Sequence, residues 1–151
     1  IVFHDESAGV MFTGDHVLPH ITPSIGFEEL SPPSPLGDFL TSLQLLRSGP
    51  EAVMLPGHGV VGGSLHTRID ELIAHHDVRL SNTVASLRMG AETAFDVAGQ
   101  LTWTRHDHRL GDLDAFNTFL AILETHWHLR LLAERGHVRA QSVDGIWRYA
   151  P

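Results

Sequence analysis

Phe12-Thr13-Gly14-Asp15-His16-Val17-Leu18-Pro19 and, later in the chain, Met54-Leu55-Pro56-Gly57-His58-Gly59 decide how this sequence is read. Each is a short apolar run that delivers ionisable side chains into a loop opened or flanked by glycine. Such runs, bounded by Gly or Pro, read as buried strands. In layered α/β folds the strand ends are where ligands and metals sit. A carboxylate and an imidazole are donors suited to zinc or iron, and glycine beside them lets the backbone approach closely. Asp15 and His58 are therefore candidate metal ligands. Each alone has a plainer reading, as a turn cap or a tight loop. Together, at matching strand ends, they favour the metal.

Working outward, residues 1–5 and Val10-Met11-Phe12-Thr13 form two apolar, partly β-branched runs around the turn Asp5-Glu6-Ser7-Ala8-Gly9, a predicted hairpin. The chain opens on Ile1-Val2-Phe3-His4, which reads as the middle of a buried strand, so a fragment is expected. A loop punctuated by Pro19, Pro23, Pro32, Pro33 and Pro35 follows. Leu36, Phe39, Leu40, Leu43 and Leu46 have helical spacing up to Gly49-Pro50. Ala52-Val53-Met54-Leu55 is a short buried strand. Ser64 caps a long helix with the stripe Leu65, Ile69, Leu72, Ile73, His76, Leu80, Val84 and Leu87, closed by Gly90. Strand, strand, helix, strand, helix is half of an α/β layered domain. Beyond it come a short helix (Phe95, Val97, Ala98, Leu101), a polar loop from His106 to Gly111, and a second helix capped by Asp112 or Asp114 with Phe116, Leu120, Leu123, Trp127 and Leu131. Two alternating runs around Asp144-Gly145 then make a hairpin. Helix, helix, hairpin is the outline of a small winged-helix module.

Composition narrows the function. The 151 residues are 42% hydrophobic and 19% charged, enough to bury a core. Cysteine is absent, which excludes disulfides, cysteine-ligated metals and cysteine nucleophiles. No run reaches the ~20 apolar residues of a membrane span, and no signal peptide is visible. These features point to a cytoplasmic protein that uses no membrane. The ten basic residues are all Arg against eighteen acids, a net charge of −8. Residues 1–90 hold four Arg and ten acids (net −6), and residues 91–151 hold six Arg and eight acids (net −2). That balance argues against nucleic acid as the main partner. Twelve histidines are many for this length and make a metal site worth seeking.

Phe12 to Pro19, Leu55 to Gly59 and the spacing between them resemble the C-terminal half of the metallo-β-lactamase fold superfamily. The resemblance is to its lactamase-beta-like and glyoxalase II-like hydrolases with a winged-helix-like C-terminal extension. Leu18-Pro19-His20-Ile21-Thr22-Pro23, Arg68-Ile69 with His75-His76-Asp77-Val78-Arg79, Thr93 to Ala98, and Glu124-Thr125 to His128-Leu129 extend the likeness over nearly the whole chain. It implies an α/β fold: residues 1–90 as the second half of an αββα sandwich and residues 91–151 as a winged-helix-like module. It also implies two zinc ions in the full-length protein, with iron or manganese as alternatives. Asp15 then matches the carboxylate that bridges both metals, and His58 the imidazole that completes the second. Two cations ~3.5–4 Å apart need an anion between them and lower the pKa of a bound water towards neutrality. The family's His-x-His-x-Asp-His motif and one further ligand histidine are absent and are expected upstream of Ile1. Alone, the chain is expected to be inactive.

The resemblance therefore implies a metal-dependent hydrolase in which hydroxide attacks a small-molecule ester or thioester, with Asp15 and His58 catalytic. The alternatives are an endoribonuclease-like phosphodiester hydrolase and a non-catalytic winged-helix binding module. A homodimer is left open. His16 is expected to line the pocket wall, and His76 or its neighbour, with Arg79 a turn later, to point to the substrate mouth; the plainer reading of His76 is a packed core histidine. His106-Asp107-His108 reads as a solvated loop. His126 and His128, two apart on a helix, cannot chelate together; one is expected to pack near Trp127 and the other to be exposed.

Overall fold

The computed structural model of the chain describes residues 1–27, 32–103 and 107–151. Strands β1 (Phe3–Asp5), β2 (Val10–Gly14) and β3 (Val53–Pro56) form one sheet in the order β1-β2-β3. β1 lies antiparallel to β2, with Phe3 opposite Phe12 and Asp5 opposite Val10. β2 and β3 run parallel, with Val10 opposite Val53 and Phe12 opposite Leu55. A parallel pair needs a crossover, and the proline-rich loop with helix α1 (Pro35–Ser48) supplies it. Helix α2 (Leu65–Arg88) follows β3. This is the α/β order that the hydrophobic pattern predicts.

The chain divides into two compact units: Ile1–Pro23 with Asp38–His76, and Ser24–Gly37 with Asp77–Pro151. In the first, the inward positions Met11, Thr13 and Met54 are buried with Phe39, Leu40 and Leu43 of α1 and Leu65, Ile69 and Leu72 of α2. Ser64 caps α2 by accepting from the Thr67 amide at 3.0 Å. The other face of the sheet is open: Phe3, Phe12 and Val53 are 67%, 50% and 48% exposed. The opening strand is thus apolar without being buried, contrary to the reading of Ile1–His4. Period-2 alternation sets which face a side chain takes, and nothing among the described residues covers this one.

In the second unit, helix α3 (Ala94–Gln100) begins with a capping box formed by Thr93 and Asp96. Helix α4 (Ala115–Glu134) is capped by Asp114, not Asp112, which sits in a short 3₁₀ turn. Strands β4 (Arg139–Val143) and β5 (Ile146–Ala150) form the predicted hairpin, turning at Asp144 and Gly145 with φ of 51° and 79°. The Trp127 indole Nε1–H donates to the Gly26 carbonyl at 3.3 Å.

Two amphipathic readings shift. On α4 the buried side chains are Ala121, Thr125, His128, Leu129, Leu131 and Leu132, whereas Phe116 is exposed. Thr125 suits the interior because its hydroxyl donates to the Ala121 carbonyl at 2.8 Å, and His128 because its Nδ1–H donates to the Glu124 carbonyl at 2.7 Å. His126 is the one that meets Trp127, edge-on at 4.9 Å, and His128 is buried, so neither of the pair is exposed as one was expected to be. On α3, Phe95 points outward while Val97 and Ala98 are buried. His106 lies outside the described residues. No helix among the described residues is long and apolar enough to cross a membrane.

Candidate functional site

The two strand-end loops are built to meet. Thr13, fully buried on β2, donates its hydroxyl to the Val17 carbonyl at 2.9 Å. The His16 amide donates to the Thr13 carbonyl at 3.1 Å. These bonds close a tight turn with Asp15 at its crest. The β2–β3 register shifts between Phe12 and Gly14, so Gly14 lies opposite Pro56. The Gly57 amide then donates to the Gly14 carbonyl at 2.8 Å, extending the ladder beyond the strands.

The glycines around His58 have a steric reason. A Cβ on Gly57 would stand 2.8 Å from Asp15 Oδ1 and 3.2 Å from the Gly14 carbonyl carbon. Gly59 has φ +92°, and a Cβ there would stand 2.7 Å from Pro19 Cγ. Both neighbours of His58 are therefore seated against the Gly14–Pro19 loop, where a side chain would force Asp15 or Pro19 to shift.

The outcome is direct contact. His58 Nδ1 lies 2.6 Å from Asp15 Oδ1, with the side chains 76% and 62% exposed. An ionised carboxylate has no proton to give, so Nδ1–H donates to Asp15. The contact brings a carboxylate and an imidazole, both metal-donor types, to one place. The donors fit a divalent metal by chemical type. They do not fit it by number: a tetrahedral site takes four ligands, and no group of three or more His, Cys, Asp or Glu converges among the described residues.

The other sequence candidates hold packing positions. His16 Nε2 meets Ser42 Oγ of α1 at 2.9 Å, and its ring stands edge-on to Phe39 at 5.2 Å. Burial lowers the His16 pKa below its ordinary value. Phe39 in turn meets His76 edge-on at 5.7 Å, and His76 is almost fully buried. His16 and His76 thus share one aromatic neighbour between loop, α1 and α2. Arg79 belongs to the other unit. Its Nε donates to Glu124 at 3.2 Å, its Nη1 to the Thr102 carbonyl at 2.9 Å, and its guanidinium lies 3.9 Å from the centre of the Trp103 ring.

Three residues position the pair, and only the close approach of the glycine was expected from sequence. Thr13 fixes the turn, Gly57 makes room for Asp15, and Arg68 clamps the loop beyond it. Arg68 Nε donates to the Leu18 carbonyl at 2.6 Å, Nη2 to the Ile21 carbonyl at 3.0 Å, and Nη1 to Glu71 at 2.8 Å. The available signal was scarcity, since residues 1–90 hold only four basic side chains.

No protein-family model matches the chain. A lactamase-like protein, nscB, of Neosartorya fischeri is 33% identical over 82 residues, covering 54% of this chain and 23% of that protein. The crystal structure of a beta-lactamase domain protein from Burkholderia ambifaria superposes with a TM-score of 0.81 at 32% identity, over 99% of this chain and 43% of that one. A metallo-beta-lactamase family protein from Thermus thermophilus gives 0.76 at 30% identity, over 99% of this chain and 44% of that one. The chain therefore spans less than half the length of each of these relatives.

Proposed function

The chain has the metallo-β-lactamase fold, over a stretch that fits the C-terminal portion of the fold's members, and from that premise we propose that it is part of a metal-dependent hydrolase acting on small-molecule esters or thioesters. The observation that carries the reading is the contact between Asp15 and His58 at the ends of adjacent parallel strands. In this reading both side chains are metal ligands, and the remaining donors lie outside the described residues. Zinc is the proposed metal, and when bound it would supply Lewis acidity to polarise the scissile carbonyl and charge to stabilise the oxyanion.

The chain's own residues keep the two donors in place. Asp15 Oδ1 and His58 Nδ1 are held 2.6 Å apart, so both donor groups face one place. The Thr13–Val17 bond and the Arg68 clamp hold the turn that carries Asp15. Gly57 and Gly59 keep the two loops in van der Waals contact.

Charge favours an acyl substrate over RNA. A chain with net charge −8 and no Lys repels a polyanion. The test compares the full-length protein, loaded with zinc, on 4-nitrophenyl esters, thioesters and a single-stranded RNA oligonucleotide. Ester or thioester hydrolysis that drops at least about a hundredfold in Asp15→Asn and in His58→Ala is expected. Cleavage of RNA alone, or ester hydrolysis untouched by either substitution, would contradict the proposal.

A further inference from the structure

A cleft of about 380 Å³ opens beside the candidate site, within the same compact unit. Pro19, His20, Met54, Val60, Val61 and Thr67 of α2 are among the residues that line it. Its size falls within the range of small-molecule sites. Its walls continue the two loops that carry the donors: Val60 is two residues from His58, and Pro19 is the residue against which Gly59 is seated. The cleft is thus continuous with the loops that carry Asp15 and His58, although neither side chain lines it.

Three observations define what would fit. The two valines are 69% and 63% exposed, in a loop that otherwise, from Gly57 to Gly63, holds only His58 and glycine. Adjacent exposed β-branched residues contribute little to folding there, so they are available to a ligand. Second, the cleft is preformed on this side. The Gly62 amide donates to the Met54 carbonyl at 2.9 Å, and the Met54 amide to the Gly63 carbonyl at 3.1 Å, which pins the end of the loop to β3. Third, the lining offers no spare guanidinium for an anion, because Arg68 is engaged by Leu18, Ile21 and Glu71. The Glu71 carboxylate, 2.8 Å from Arg68, balances that charge.

We propose that this cleft seats the neutral, apolar arm of the substrate and so selects esters or thioesters with a medium-length aliphatic acyl chain. The proposal takes the word substrate from the hydrolase reading above, but the cleft's preference for a neutral aliphatic chain is measurable without turnover.

The test titrates the full-length protein with hexanamide, a neutral, unreactive stand-in for the acyl arm, and with hexanoate, followed by amide NMR. Saturable hexanamide shifts at Val60, Val61 and Gly62 are expected, with weaker binding of hexanoate. Thr67→Trp, which fills the cleft from an exposed helix position, and Val61→Asp should each weaken hexanamide by about tenfold or more. In turnover, Thr67→Trp should lower kcat/KM for 4-nitrophenyl hexanoate by more than for 4-nitrophenyl acetate. Hexanamide binding elsewhere, hexanoate binding more tightly than hexanamide, or an acyl-length preference untouched by Thr67→Trp would overturn the cleft proposal and leave the hydrolase standing. Binding in the cleft with no ester or thioester hydrolysed would overturn the hydrolase and leave the cleft standing.

Discussion

Gly57 carries more of the site than its lack of a side chain suggests. A methyl group there must displace Asp15 or the Gly14 backbone. Gly57→Ala is expected to cost the full-length protein more in metal affinity than in stability, measured as a metal-binding isotherm beside a urea midpoint. Equal metal affinity in the variant would show that the close approach has no functional weight. A second residue tests the packing of the other unit. Tyr149 is the only tyrosine in the chain, and burial pushes its pKa up to about 12. Tyrosinate absorbance should therefore rise near that pH, with Tyr149→Phe as the reference trace, and not near the ordinary value of about 10. The sign follows from linkage: a neutral acid favoured by the fold stabilises it below about pH 10, and that contribution is lost as pH climbs towards 12.

At the scale of elements, the turns and caps were the most legible features because their chemistry is local. Asp144-Gly145 specifies a tight hairpin turn, and both residues have positive φ. Gly145→Ala should destabilise the second unit by about 1 kcal/mol, and Asp114→Ala should remove a cap worth roughly the same. Thermal denaturation checks both; a variant as stable as the parent would remove that element from the account. The faces of α3 and α4 were less legible. Phe95 and Phe116 look like core on size and spacing, yet both are exposed, while Thr125 and His128 are buried. A polar side chain that bonds to its own helix's carbonyls satisfies itself inside, and a sequence pattern scored on hydrophobicity cannot register that. The stripe of α2 was read more securely because Leu65, Ile69 and Leu72 are all apolar and buried together. Ile69→Ala should cost roughly 2–5 kcal/mol.

At the scale of the whole molecule, the strand–helix order and the meeting of Asp15 with His58 were legible, because strand ends and their glycines announce themselves in sequence. The loop clamp by Arg68 and the cleft beside it were not, since both depend on residues brought together by the fold. The same scale sets the pH response. Burial, and then the nearby Arg130 charge, hold the His126 pKa below its ordinary value of 6.5. A folded state that disfavours protonation is fully stabilised by this group above 6.5 and loses that contribution as pH falls towards the lowered value. The urea midpoint should therefore fall on acidification below 6.5, and His126→Gln should flatten that slope; a slope unchanged in the variant would assign it to other groups.

The central claim is that Asp15 and His58 are metal ligands, and metal content tests it most directly. The full-length protein, purified with zinc and dialysed, should retain tightly bound metal, and Asp15→Asn and His58→Ala should each lose at least one equivalent while keeping the parent's circular dichroism. Undiminished metal in both folded variants would contradict the account.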